Sequence, residues 1–346
     1  MQTKDHSRRV IRVTILIATL ASASLTACSD ASPPVGHASA SAAHAGTGAG
    51  PTSAVDASIV TFERAANPAR TLAKDDSGAV VATFTDGART VVLRGPERTF
   101  EEPSATEATV TTTAWVRLAP QAWKQGAEQR SWFEPWFQSV LGSEEPDVFA
   151  RAFEYVKGAP DHSNEDGVRI SGDALFGPLG SNGQDRLEAN DFYDYLGVSW
   201  RFPDVGRVRP ESRRYGSLDC SGFVRMVLGY RLGYPLRGSN GPGPGLPRRA
   251  FAIQKYGAGV EVVPDREVTA TAYDSLQPGD LVFFQTEGGP QIDHMGIYLG
   301  VDSNGGHRFM SSRVKANGPT MGDIGGTSLL DDEHFYSRGW RAARRV

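Results

Sequence analysis

The sequence predicts an α+β protein, and three observations carry that prediction. Short β-branched runs broken by turn signals fill residues 60–120. Asp219-Cys220-Ser221-Gly222-Phe223 opens a stretch whose apolar residues recur at helical spacing. Two apolar runs follow the turn Pro278-Gly279-Asp280, and the second of them starts at His294.

The chain has 346 residues, enough for about two domains if roughly 150 residues make one. Its formal net charge of −4 supplies no basic field for a polyanion, which excludes nucleic acid as the expected partner.

The elements read as follows from the N-terminus. Lys4, Arg8, Arg9 and Arg12 precede an apolar run at 13–20, and Leu25-Thr26-Ala27-Cys28 supplies a small-residue cleavage site. The apolar run falls short of the roughly 20 residues that span a bilayer. The pattern looks like a bacterial lipoprotein signal (1–28) with its lipobox, which implies acylation of Cys28 and a membrane anchor. An ordinary secretory signal with a chance cysteine is the alternative. Both predict export.

Residues 29–58 are Ala, Gly, Ser, Pro and Thr with almost no large apolar side chain, so they read as a flexible tether. Residues 59–160 read as a small α+β accessory domain. Its strand runs 80–84 and 89–93 flank Asp86-Gly87, a hairpin signal, and 109–118 reads as another strand. Ser131 suits the cap of a helix reaching Leu141, and Pro146 opens a second that ends before Gly158. Trp115, Trp123, Trp132, Phe133, Trp136 and Phe137 form either a sugar-stacking face or, as such clusters more often do, core. No chemistry is assigned to this unit.

The chain has two cysteines. If Cys28 carries lipid, Cys220 has no disulfide partner, and a lone thiol in an oxidising compartment is a candidate nucleophile; a buried structural cysteine is the alternative. Asp219 suits a helix N-cap, which puts Cys220 in the first turn. There the helix dipole and unsatisfied N–H groups are expected to lower the thiol pKa. Gly222 is expected to leave room for substrate backbone beside the thiol.

His294, at the start of a strand, supplies the general base that a thiol needs. A third group normally orients the imidazole. A hairpin centred near Asp302-Ser303 sets Ser311 opposite His294 and leaves His307 roughly four residues away, on the order of 13 Å of strand. Ser311 is therefore favoured, with His307 second and a backbone carbonyl as the remaining choice. A one-residue bulge changes this choice. No cofactor or metal is called for, and His162, near Asp161, Glu165 and Asp166, reads as part of a solvated loop.

From about residue 191 to 346 the sequence resembles the NlpC/p60 family of cell-wall cysteine peptidases. The resemblance is carried by Asp219-Cys220-Ser221-Gly222-Phe223, Leu246-Pro247-Arg248, Leu276-Gln277-Pro278-Gly279-Asp280-Leu281, Asp293-His294-Met295-Gly296-Ile297-Tyr298 and Ala342-Ala343-Arg344-Arg345-Val346. It implies a papain-like fold for a hydrolase domain at 161–346, with the cysteine helix packed on an antiparallel sheet. It also implies peptidoglycan as partner and cleavage of its stem peptides, commonly between γ-D-glutamate and the diamino acid. Asp219 and Ser221 are then implied to hold the stem peptide's free amino end.

Three departures stand out. Trp200 takes the position of a Tyr that lies across the family's site. Residues 204–215 are longer than usual, a candidate loop over the cleft. Ser311 stands where the family usually has His, Asn or Gln, and its short hydroxyl raises a bridging water as the alternative to direct contact. These departures keep two other readings open: a related cysteine amidase or acyltransferase on another wall or lipid substrate, and a non-catalytic wall-binding lipoprotein.

Overall fold

The β-branched runs of 60–118 pair in chain order. A computed structural model describes residues 60–346 apart from Asn182; the expected signal, the tether and Cys28 lie outside the described residues. Strands β1 (Thr61–Ala65), β2 (Arg70–Lys74), β3 (Val80–Thr85), β4 (Thr90–Phe100) and β5 (Val110–Leu118) form an antiparallel sheet in the order 1-2-3-4-5. The Asp86-Gly87 turn joins β3 to β4, with Phe84 opposite Val91. The aromatic cluster is mainly core: Trp123 stacks on Phe84 with ring centres 4.2 Å apart, and Phe133 and Phe137 are buried beside it.

Helix α1 (Phe133–Val140) starts after Trp132 with no side-chain cap, so Ser131 does not cap it. Helix α2 (Val148–Phe153) is capped by Asp147, whose carboxylate accepts from Ala150 N at 3.0 Å and from Val116 N at 2.7 Å. One buried carboxylate thus ties α2 to β5.

Two short antiparallel pairs follow: β6 (His162–Ser163) with β7 (Arg169–Ser171), and, after α3 (Phe192–Leu196), β8 (Trp200–Phe202) with β9 (Gly206–Val208). Helix α4 (Cys220–Val224) runs straight into seven π-helical residues, Arg225–Arg231. The sequence expected one buried face, yet every residue of 220–229 is buried. The reason is packing on two sides, since α4 lies on the main sheet while its π-helical extension contacts α2 and α3.

After α5 (Ala250–Tyr256) come β10 (Val260–Val263), β11 (Leu281–Phe284), β12 (His294–Val301), β13 (His307–Arg313), β14 (Gly318–Thr320), α6 (Phe335–Gly339) and β15 (Trp340–Arg345). These strands form an antiparallel sheet in the order β10-β15-β11-β12-β13-β14, and α4 packs on β12 and β13. The result is the expected α+β arrangement, a cysteine-bearing helix on a histidine-bearing sheet.

Residues 59–160 and 161–346 are not independent bodies. Val110, Val116, Val148, Phe149 and Tyr155 share one core with Cys220, Phe223, Val227 and Met295, and residues 60–346 lie in a single compact unit. At the turn before β11, Gly279 has φ +92°, and a Cβ there would stand 2.6 Å from Val116 of β5. The neighbouring Asp280 carboxylate is buried against Arg345, whose guanidinium also reaches Thr85 of β3. Each part keeps a core cluster of its own and buries a further face in the shared one.

Candidate active site

The site is built from the N-terminus of α4. Asp219 leaves the helix with extended backbone, and its carboxylate accepts from Gly222 N at 2.7 Å. That cap fixes the start of the helix and places the Cys220 thiol in its first turn. Gly222 serves the protein's own chain and not a substrate: a Cβ there would stand 2.0 Å from the Asn190 carbonyl oxygen, which accepts from Asp219 N at 3.0 Å.

Asp219 and Ser221 are both buried and already engaged. Arg248 donates to the Asp219 carboxylate at 2.8 Å and to the Ser221 hydroxyl at 2.8 Å. Asp191 joins the cluster, 3.0 Å from Arg225 and 3.4 Å from Arg248. Neither Asp219 nor Ser221 is among the residues that line the cavity in front of the thiol. The opposed guanidinium holds the Asp219 carboxyl below the usual range although burial pushes the other way.

Trp200 is likewise engaged within the protein. It packs edge-on against Phe192 at 5.0 Å and near Tyr230 at 5.9 Å, and it does not line the cavity. Residues 204–215 form β9 and a short 3₁₀ turn, and none of them borders the cavity either. The sequence placed these residues by their order along the chain, whereas the β8–β9 hairpin turns them toward α3 and the π-helical segment.

His294 opens β12. Its Nε2 lies 3.1 Å from Ser311 Oγ, so the contact is direct and needs no water. The register differs from the expected one. Ile297 pairs with Met310 and Tyr298 with Phe309, and a bulge follows before Gly300 pairs with Arg308. Continued toward His294, this register sets Ser311 across from Gly296 and Arg313 across from His294. Glycine at 296 lets the serine reach diagonally, because a Cβ there would stand 3.2 Å from the Ser311 Cβ. His307 sits at the far end of β13, opposite Val301 and bonded to Tyr298 Oη at 2.7 Å, which removes it as the orienting group.

Cys220 and His294 open on one cavity of about 500 Å³, shared with Phe176, Glu188, Arg313 and Tyr336. The thiol is 3.9 Å from the Asp293 carbonyl. Burial pushes the Cys220 thiol well up, and the Asp219 and Glu188 carboxylates add to the effect. Burial, then the charge of Arg313, push His294 down to about 3 against the pull of Asp219. The direction is opposite to the expected lowering of the thiol pKa: desolvation works against both the thiolate and the imidazolium.

Sequence reasoning missed Arg313 and Tyr336. Arg313 had a signal, since it stands two residues from Ser311 and so on the same face of a strand. Tyr336 had none, because α6 reaches the site by tertiary packing. Among the described residues, no group of His, Cys, Asp and Glu is arranged to hold a metal, and His162 is exposed beside Asp161, which pairs with Arg169 at 2.6 Å.

Comparison with known proteins adds a family match and likenesses to solved structures. The family model "NlpC/P60 family" matches residues 204–321. A solved structure of an NlpC/P60 family protein from Bacillus cereus is similar at 10% identity and a TM-score of 0.26, over 83% of this chain and 78% of that one. None of the curated proteins compared with the chain matches it.

Proposed function

The chain carries an NlpC/P60 family domain at residues 204–321, and from that premise we propose that it is a cysteine peptidase of the cell wall. It hydrolyses peptidoglycan stem peptides, at the bond from γ-D-glutamate to the diamino acid. One observation carries this reading: Cys220 and His294, from a helix and a strand far apart in sequence, open on the same cavity, with the imidazole held by Ser311. The protein acts outside the cytoplasm, on a lipid anchor at Cys28 and a tether that lets it reach into the wall.

The chemistry starts from neutral groups. With Nε2 on Ser311, Nδ1 is the nitrogen left for the thiol. As Cys220 Sγ attacks the amide carbonyl, its proton passes to Nδ1 of His294, which then gives it to the leaving amine. The Gly222 and Phe223 N–H groups are used by Asp219, so stabilising the oxyanion falls to the N–H groups before them. Water, deprotonated by His294, then hydrolyses the thioester and restores the thiol. An amidase acting through the same pair is the second reading, favoured by the burial of Asp219 and Ser221 against Arg248.

Digestion of purified peptidoglycan, with mass analysis of the new termini, tests both. A free diamino-acid amine supports the endopeptidase and a released lactyl group the amidase. Absence of any product from the folded wild type contradicts both.

A further inference from the structure

Arg313 is a buried cation of unusual surroundings. Arg225, Arg248, Arg308 and Arg345 are buried too, and each faces a carboxylate within 3.0 Å. The bonds of Arg313 go to neutral oxygens instead. Nη1 donates to the Gly322 and Gly326 carbonyls at 3.2 and 2.6 Å, Nη2 donates to Ser328 Oγ, and Nε donates to Ser311 Oγ at 3.0 Å. The Tyr336 ring lies 4.3 Å from the guanidinium carbon. The Nη bonds brace the 322–328 loop. The Nε bond does something else, because its acceptor is the oxygen that meets His294 Nε2 at 3.1 Å.

We propose that Arg313 is a positioning residue: its Nε–H pins the Ser311 oxygen toward Nε2 of His294, which keeps the ring proton on Nε2 and leaves Nδ1 free to take the thiol proton. This rests on reading Cys220 and His294 as nucleophile and base. A serine hydroxyl alone has three staggered rotamers and is a weak orienting group. A guanidinium held on its other side by two carbonyls, a hydroxyl and an aromatic ring selects one rotamer. The arrangement differs from a carboxylate partner in a second way. Serine brings no negative charge to share with an imidazolium, and Arg313 opposes it, so His294 once protonated is a strong acid toward the leaving amine.

The charged and titratable groups around His294 are Arg313 on β13, Asp219 and Cys220 at the start of α4, and Tyr336 on α6, with the Phe284 ring of β11 beside it, and Glu188, Glu287, Asp293 and Lys315 line the same cavity. Asp219 is committed to Arg248, whereas the hydrogen bonds of Arg313 go to neutral oxygens alone.

The test is ring-nitrogen NMR of His294 in the full chain, which needs no substrate. In the wild type His294 is expected to stay neutral to below pH 5, with the proton on Nε2. Arg313→Gln is expected to raise its titration midpoint by roughly one unit or more and to mix the tautomers. Arg313→Lys keeps the charge but not the Nε–H, and Ser311→Ala removes the acceptor; both are expected to keep the midpoint low and mix the tautomers. In turnover, each variant should lower kcat about tenfold or more with KM held within about threefold. An unchanged midpoint and tautomer in Arg313→Gln would overturn the proposal and leave Arg313 a brace for the loop. If Arg313→Gln does not fold, a single unmixed tautomer in Arg313→Lys or Ser311→Ala overturns it equally. A wild type with the expected titration but no hydrolysis sinks the peptidase reading and not the Arg313–Ser311–His294 contact.

Discussion

Arg248 holds its guanidinium 2.8 Å from the carboxylate of Asp219, the residue immediately before the proposed nucleophile Cys220. The sequence marks Leu246-Pro247-Arg248 as a motif without saying what the arginine does. In the structure it neutralises the cap of α4. Arg248→Met leaves a buried carboxylate facing no cation, and breaking a buried pair from one side costs about 3–5 kcal/mol. Urea melts of wild type and variant should differ by that much at pH 7. A difference below about 0.5 kcal/mol would mean that Arg225 or water replaces the lost partner.

The thiol should be quiet in the free protein. Burial pushes Cys220 up, outweighing the Met295 backbone N–H that favours the thiolate, and the Asp293 carbonyl 3.9 Å away accepts from the protonated form. Alkylation by iodoacetamide should therefore be slow at pH 7 and rise only above the ordinary thiol value of about 8.5. A plateau of fast labelling between pH 5 and 7 would show a resting thiolate–imidazolium pair and contradict the neutral ground state. Activation is then assigned to substrate binding, which brings the carbonyl that the sulfur attacks as its proton leaves.

His294 also links stability to pH. Its folded value of about 3 lies below the roughly 6.5 of an unfolded chain, so between these values the unfolded state binds the extra proton. Stability from this group is fully present above about pH 6.5 and is lost as pH falls toward 3, at up to about 1.4 kcal/mol per unit. Urea melts at pH 7.5 and 4.5 should show a smaller difference in His294→Gln than in the wild type. Equal differences would place the folded value near 6.5 and remove the argument for a desolvated imidazole.

Two substitutions separate residues that the chain order suggests from those that the fold brings together. Trp200→Phe should keep kcat/KM on a stem peptide within about threefold, since Trp200 packs on Phe192 away from the cavity. Gly222→Ala should fail to give a stable protein, because its methyl group would meet the Asn190 carbonyl, and overpacking of this kind costs at least about 1–3 kcal/mol. Loss of turnover in a well-folded Trp200→Phe would return the tryptophan to the site.

Much of this was legible before any coordinates. The Asp219 cap, the strand start at His294 and the reach of Ser311 are local or nearly local features, set by side-chain chemistry and strand period. The β12–β13 register differs from the expected one because of the bulge near Leu299, whose one sequence mark is Gly300 with φ +126°, and Ser311 still meets His294 because Gly296 leaves a diagonal open. Asp219, Ser221 and Trp200 have surroundings that the chain order does not show. Each has polar or aromatic partners, Arg248 or Phe192, that lie 27 or more residues away or on another element, and only packing decides whether such a group faces substrate or its own chain. The join between the two sheets was hidden likewise, since it depends on β5 and α2 sharing a core with α4.

The central claim is that Cys220 is the nucleophile, and hydrolysis of a stem peptide by Cys220→Ala tests it most directly. The variant should fold as the wild type does and lose turnover by about 10³-fold or more, since what remains without the nucleophile is only binding and oxyanion stabilisation. Turnover by Cys220→Ala within about tenfold of the wild type would contradict the account.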